Sequence, residues 1–599
     1  MRHLLDTRRP RLLLTVFCLL LWTPGFFTLP PGDRDESRFA QASKQMIETG
    51  DYVRIQNGAE ARNRKPIGIH WLQVPFAAAA RGLGLATENP VWPYRVPSAL
   101  GGLCAVLATF WAGQRLVGQQ AALLGAAMLA ASVALVVEVH IAKTDAALLG
   151  ATTVAMGVLA RAYLDPGGLR AGGAALFWLA MGAGILLKGP VTPMVAGLAA
   201  LALVAADGWT GRGRTGRGRA AWLRALRPGW GVPLMLAVVL PWFVAIGVAT
   251  GGRFFADAVG GDLGRKLSSG DDSHWGPPGL HLALLPLLLF PLCGLLPGAA
   301  LAAWRGRRAL PVRFLIAWVV PAWLVFEAVP TKLPHYTLPL YPAVCLLAAG
   351  WLLDPGRAML PRWGRWVAVA LPGVAASVLG MGGAALPLVL GMPVWLGVPA
   401  VLAAGLAGWL TVQAALRMGS GARLPLPPGE GRGEGVLRRG SGPQVTSVQR
   451  DPVFSAPQPR PPHPNPLPEG EGAVAALAAA VVLYAAILGF ELPRLAPVWI
   501  APQVVAALPE PGSLGAVGFA EPSLMFLAGT DTQWLPAADA PAALASGRVH
   551  ALLVGDRDRA AVLAGAERAG IRLQEVAAVP GFNYSRGRAV LLTLYRLAP

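Results

Sequence analysis

Residues 12–52 read LLLTVFCLLLWTPGFFTLPPGDRDESRFAQASKQMIETGDY. The apolar run Leu12 to Leu29 follows Arg8, Arg9 and Arg11 and ends in Thr-Leu-Pro-Pro, without the small residues that a signal peptidase cuts. It reads as a retained first membrane span whose N-terminus lies in the cytoplasm, the side on which Lys and Arg are kept. The polar stretch after it, Asp33 to Lys65, is then external.

Outward from this stretch the same pattern repeats. The 599 residues are 54% hydrophobic and only 14% charged. A hydrocarbon slab about 30 Å thick needs roughly 20 apolar residues per helical span, and helices satisfy their own backbone hydrogen bonds there. Further runs of that kind lie near Pro93–Leu116, Ala121–Val139, Ala146–Tyr163, Ala174–Leu187, Val191–Ala206, Val232–Thr250 and Leu280–Ala303. Others follow near Val312–Val329, Tyr336–Leu353, Trp366–Leu390, Val394–Leu416 and Val474–Leu492, which makes thirteen with the first. The weaker segment Ile67–Leu85 suits a position along the membrane surface.

With an inside N-terminus, every second loop is cytoplasmic, and the arginines agree with that parity. Arg212, Arg214, Arg217, Arg219, Arg224 and Arg227 share one inner loop, Arg305, Arg307 and Arg308 another, and Arg357, Arg362 and Arg365 a third. The net charge of +19 is thus spread over short loops facing anionic headgroups. No basic patch interleaves with aromatics as a nucleic-acid groove requires, so nucleic acid is not expected as a partner. Cys18, Cys104, Cys293 and Cys345 each sit inside an apolar run, without metal or redox spacing.

These features divide the chain into four parts. Residues 1–416 form a transmembrane domain with an external first loop, 31–70. Residues 417–472 are a Pro/Gly-rich cytoplasmic insert holding the near-repeat LPPGEG and LPEGEG, expected to be disordered. Residues 473–493 are the last span, and 494–599 an external α/β domain with strands at Ala516–Ala520, His550–Val554 and Ala589–Leu597 and a helix at Arg559–Ala569.

The external loop carries Arg34-Asp35-Glu36-Ser37-Arg38, then Thr49-Gly50-Asp51-Tyr52, then Arg64-Lys65-Pro66 ahead of Trp71. Later come Asp145 at the start of a span, Leu187-Lys188-Gly189-Pro190 between two spans, and Lys332-Leu333-Pro334-His335-Tyr336 entering another. This ordered set, over residues 12 to 410, resembles the GT-C membrane glycosyltransferases, in particular the relatives of the bacterial aminoarabinose (lipid A) transferase and of the protein O-mannosyltransferases. The terminal Gly581-Phe582-Asn583-Tyr584-Ser585-Arg586-Gly587-Arg588 looks like part of the bacterial subgroup's external domain.

The resemblance implies an all-α polytopic GT-C fold in the bacterial inner membrane, with its active site facing the periplasm. It implies inverting transfer of a hexosyl or pentosyl group from a polyprenyl-phosphate carrier. The favoured acceptor is a glycolipid like lipid A; protein or a polysaccharide is the alternative. Asp35 matches the family's catalytic aspartate and Asp145 a second acidic residue of the cavity. Glu36, Arg38, Lys65, Lys188, Lys332, Tyr336 and His274 match substrate-binding positions. The relatives also have a Glu just before the loop lysine that joins a histidine at a divalent metal. Here Arg64 stands in its place, so no metal ligand and no certain cofactor is assigned, a divalent metal stays an open alternative, and His274 has the alternative of a solvated loop histidine.

The chemistry asks for the same residue types. Breaking a glycosidic bond to phosphate develops charge on the leaving group, and Arg38, Lys65, Lys188 and Lys332 fall at outer membrane boundaries where charge-assisted hydrogen bonds would hold it. Their alternative is to snorkel as anchors, and Tyr336 has that of an interfacial belt residue. An attacking hydroxyl needs a base, a role for Asp35, whose alternative, shared with Ser37, is a helix N-cap. Asp145 clusters with Glu138, His140 and Lys143, a costly group of charges at a membrane edge, and Lys143 could simply pair with it. A lipid-linked sugar transporter would carry inverted repeats, of which the sequence has no sign.

Overall fold

The computed structural model describes residues 7–32, 34–86, 89–209, 219–263, 275–419, 469–508 and 512–598. The chain opens with α1 (Pro10–Trp22), then α2 (Asp35–Thr49), α3 (Gly68–Gly82), α4 (Trp92–Leu116), α5 (Gln119–Ala131), α6 (Val133–Val139), α7 (Asp145–Leu164) and α8 (Ala171–Lys188). Among the described residues ten helices are long and apolar enough to cross a membrane, eleven when α5 and α6, bent by 58°, count as one span. The bend falls at Ser132, whose extended backbone ends α5 while its hydroxyl caps α6 by accepting from the Leu135 N–H.

The expected count of thirteen is not reached by this measure among the described residues. The first run folds as a helix of 13 residues and stops short of Pro24 and Gly25, where the chain turns with Gly25 at φ +78°. The Leu280–Ala303 run is broken into Leu280–Leu288, a short 3₁₀ turn at Leu292–Leu295, and Leu296–Gly306. Pro286 and Pro291 interrupt it, because proline removes a backbone donor and clashes with the preceding turn. Most of the 417–472 insert lies outside the described residues.

Alternation of the spans puts the chemistry at one end of the bundle. Asp145 begins α7, Lys188 ends α8, and Lys332 and His335 precede the helix Tyr341–Leu353. Arg219, Arg224 and Arg227, Arg305, Arg307 and Arg308, and Arg357, Arg362 and Arg365 lie at or between the opposite helix ends; Arg212, Arg214 and Arg217 lie outside the described residues. The placement of α7 depends on its close crossing with α4. A side chain on Gly101 would meet the Ala147 backbone at 2.4 Å, and one on Gly150 would meet the Gly101 carbonyl at 2.7 Å. Small residues allow such backbone approach.

The loop after the first helix is built on α2. Asp35 and Glu36 occupy its first turn, where the helix dipole favours anions. Its cap is Arg34, with no side-chain capping bond, so neither Asp35 nor Ser37 is an N-cap. Gly50 ends the helix at φ +71°, a left-handed C-terminal position suited to glycine. Asp51 then accepts from the Val53 and Arg54 N–H groups, both at 3.0 Å, and Trp71 donates to the Tyr52 carbonyl at 2.9 Å. The Gly-Asp-Tyr and Trp71 elements therefore shape the loop. Helix α3 is joined to α2 through Ser43, which meets His70 Nδ1 at 2.8 Å and Gln73 Oε1 at 2.6 Å.

The C-terminal part is a five-stranded sheet of order β4-β3-β5-β7-β6, with β3 (Leu514–Val517), β4 (Gln533–Trp534), β5 (Ala551–Gly555), β6 (Leu573–Asn583) and β7 (Arg588–Leu597); β1 and β2 (Gln56–Asn57, Glu60–Ala61) form a small hairpin in the first loop. Strands β4, β3 and β5 are parallel, and β7 pairs antiparallel with β5 and β6. The domain sits on α2: Gln41 Nε2 donates to Thr530 at 2.8 Å, Thr530 to Glu48 at 2.6 Å, and Lys44 Nζ to the Phe526 carbonyl at 3.0 Å.

Candidate functional site

Glu36 is the structural centre of the end of the bundle that holds Asp145 and Lys188. Arg95 grips its carboxylate at 2.8 and 2.9 Å, and the Gly32 and Ala142 N–H groups donate to it at 2.7 and 2.9 Å. The same guanidinium donates to the carbonyls of Phe26, Leu29 and Pro30. One buried pair thereby fastens the exit of the first span, α2, α4 and the loop before Asp145. Each polar atom is satisfied, which a buried pair requires. Glu36, expected to bind substrate, instead faces inward and does not line the cavity described next.

A cavity of about 400 Å³ opens at this end of the bundle. Its walls are apolar, formed by residues such as Leu148, Met194, Phe243, Phe254, Phe326 and Leu338. Its polar lining is concentrated in Arg64, Lys65, Asp145, Lys188, His335 and Tyr336. Lys188 donates to Asp145 in an ion pair, and its ammonium lies 5.2 Å from the centre of the Tyr336 ring.

Behind the mouth is a buried network of charges. Lys143 Nζ is 2.9 Å from Glu138 and 3.8 Å from Asp145. His335 bridges the two acids, with Nδ1 3.6 Å from Glu138 and Nε2 3.7 Å from Asp145. Burial opposes the charge on Lys143, yet Glu138 and Asp145 hold its ammonium well above the usual lysine range. Lys143 therefore pairs chiefly with Glu138, and Asp145 is left to Lys188.

Asp35 stands outside the cavity with its side chain 48% exposed, 3.8 Å from Arg62. Burial pushes its carboxyl up, but Lys65, Arg62, Lys143 and Arg38 together hold it below the usual range, so it is an anion at neutral pH. Lys65 is brought down to about 8, first by burial and then by Lys188 and Arg62, against the pull of Asp35 and Asp145. Its ammonium lies 4.9 Å from the Phe39 ring and the Arg62 guanidinium 4.4 Å from the same ring.

The structure thus brings together Asp145, Lys65, Lys188 and Tyr336 in one cavity, while Asp35 and Arg38 are not part of its lining. Lys332 is turned away: it is buried and donates to the carbonyls of Gly276 and Val329 at 3.0 and 2.9 Å. His274 lies outside the described residues. Arg64 and His335 are cavity residues that sequence reasoning had not assigned; each adjoins a residue it had, Lys65 and Tyr336. Among the described residues no group of three or more His, Cys, Asp or Glu is arranged to hold a metal ion.

No family model matches the chain. Over 376 residues it is 31% identical to the undecaprenyl phosphate-alpha-4-amino-4-deoxy-L-arabinose arabinosyl transferase of Pseudomonas aeruginosa, covering 61% of this chain and 63% of that protein. The protein of that name from Pectobacterium atrosepticum is 27% identical over 380 residues, 60% of this chain and 62% of the relative. The chain therefore spans less than two thirds of the length of these curated relatives. Its fold is that of ArnT from Cupriavidus metallidurans: the apo crystal structure superposes with a TM-score of 0.67 at 19% identity, and the structure bound to undecaprenyl phosphate with 0.68 at 21% identity, each covering 97% of both chains.

Proposed function

We propose that this chain is an inner-membrane glycosyltransferase that moves a sugar from a polyprenyl-phosphate carrier to an acceptor on the periplasmic side. The observation that carries the reading is the cavity itself: apolar walls suited to an isoprenoid chain end in Arg64, Lys65 and Lys188 beside Tyr336. A solved protein of the same fold holds undecaprenyl phosphate. The acceptor favoured is a glycolipid like lipid A, and the group transferred a hexosyl or pentosyl unit.

In the donor, a phosphodiester monoanion joins the sugar's anomeric carbon to the lipid. The acceptor oxygen attacks that carbon from the face opposite the phosphate, so the new bond forms with inversion as the carbon–oxygen bond to phosphate breaks. The phosphate leaves as a dianion, and Lys65, Lys188 and Arg64 stabilise the charge it gains, more strongly in a partly dry site than in water. Asp35, held anionic by its neighbours, takes the proton of a hydroxyl acceptor. For an acceptor that is already anionic it orients instead. Asp145 fixes Lys188 at the cavity mouth.

The test is undecaprenyl phosphate binding to the purified chain, comparing wild type with Val329→Trp, which fills part of the cavity. Saturable binding by the wild type, lost in the variant at equal folded yield, is expected. Equal binding by both would remove the cavity from the account.

A further inference from the structure

The hairpin joining β6 to β7 carries the Gly581–Arg588 motif, which the transfer chemistry leaves unused. Its tip is firmly built. The Asn583 side chain donates to the buried Glu521 carboxylate at 2.9 Å and accepts from the Arg586 N–H at 3.1 Å, while Gly587 takes φ +64°, a left-handed turn position. Tyr584, Arg586 and Gly587 are exposed.

This tip lies against the entry to the catalytic loop. Arg34 donates to the Ser585 carbonyl at 2.9 Å, and the Tyr584 hydroxyl approaches Gly32. Arg34 directly precedes Asp35, and Asp35 in turn adjoins Lys65 at the cavity mouth. The hairpin tip thus borders the residue next to Asp35 on the side of Arg34.

Two further features point to an anion there. The Nε of Arg588 and the hydroxyl of Ser585 are buried and have no hydrogen-bond partner; a buried guanidinium N–H without an acceptor is unfavourable unless a ligand provides one. The buried acids of the neighbourhood, Glu36 and Glu521, are already engaged by Arg95 and Asn583.

We propose that Arg34, Arg586 and Arg588 seat a phosphate of the acceptor glycolipid and so hold its nucleophile toward Asp35. The inference rests on the transfer reading above. Arginine's planar fork suits a phosphate, bonding two of its oxygens at once.

The full chain in detergent is titrated with diphosphoryl lipid A, with the same glycolipid freed of both phosphates, and separately with undecaprenyl phosphate. Wild type is compared with Arg586→Gln alone, with the pair Arg586→Gln and Arg588→Gln, and with the corresponding pair of lysine substitutions. The glutamine pair is expected to lose about tenfold or more in affinity for the diphosphoryl form, as loss of charge-assisted bonds predicts. The single variant should lose part of this, and the lysine pair should keep most of it. The phosphate-free glycolipid and undecaprenyl phosphate should bind all variants alike. Equal binding of the diphosphoryl form by wild type and both glutamine variants overturns the proposal, as does an equal loss for both glycolipids. A wild type that fails to bind undecaprenyl phosphate strikes the donor reading instead and leaves the two glycolipid arms to decide the hairpin's role.

Discussion

Lys143 lies 2.9 Å from Glu138 and 3.8 Å from Asp145, so a buried glutamate draws off the lysine that would otherwise compete with Lys188 for the cavity aspartate. Removing one partner of a buried pair leaves an uncompensated charge, whereas removing both does not. Lys143→Met is therefore expected to destabilise the protein by about 3–5 kcal/mol. The double variant with Glu138→Gln should recover much of that loss, as thermal unfolding in detergent would reveal. Additive losses would mean that the two side chains are independent.

Arg64 is expected to hold the carrier phosphate. Because a hydrogen bond to a charged group contributes about 1.5–3 kcal/mol, Arg64→Ala should weaken undecaprenyl phosphate binding roughly tenfold or more, with Arg64→Lys between the two. Isothermal titration would detect this, and unchanged affinity in Arg64→Ala would exclude the residue from the donor site.

The lowered value of Lys65, about 8, gives donor binding a pH dependence. Below that value the free site presents an ammonium to the phosphate; as pH rises through it, binding must also take up a proton. Affinity for undecaprenyl phosphate should thus fall as pH rises above about 8, where the phosphate is already a dianion and only Lys65 titrates. Lys65→Arg, which stays charged, should bind without that fall. A wild-type profile flat to pH 9.5 would argue against Lys65 at the phosphate.

The pair of Glu36 and Arg95 is expected to govern folding. Arg95→Met strands the Glu36 carboxylate in a buried position and should cost about 3–5 kcal/mol, seen as low folded yield and a lowered Tm in detergent. A stable Arg95→Met with impaired donor binding alone would return Glu36 to the substrate side.

Much of this was legible in the sequence because apolar runs of span length and buried strands such as Ala551–Gly555 leave a strong local signal. Asp145, Lys188 and Tyr336 were legible as charged or polar residues at the same membrane boundary. What escaped was tertiary. Nothing in the order Asp35-Glu36 says that the second acid turns inward, since that depends on Arg95, 59 positions away in sequence. Lys332 looked like Lys188 until two backbone carbonyls claimed it. Strand β6 was missed because its pattern of burial is irregular, with a register shift between Glu575 and Ala577. The Leu280–Ala303 run was read as one span although it holds Pro286 and Pro291, because its apolar length outweighed them.

The central claim is tested most directly by transfer of radiolabelled sugar from extracted polyprenyl-phosphate donors, in membranes carrying wild type or Asp35→Asn at equal folded amounts. The account predicts transfer by the wild type and a rate lower by about a hundredfold in the variant, the loss expected for a positioned proton acceptor. Full-rate transfer by Asp35→Asn to a hydroxyl acceptor would contradict it.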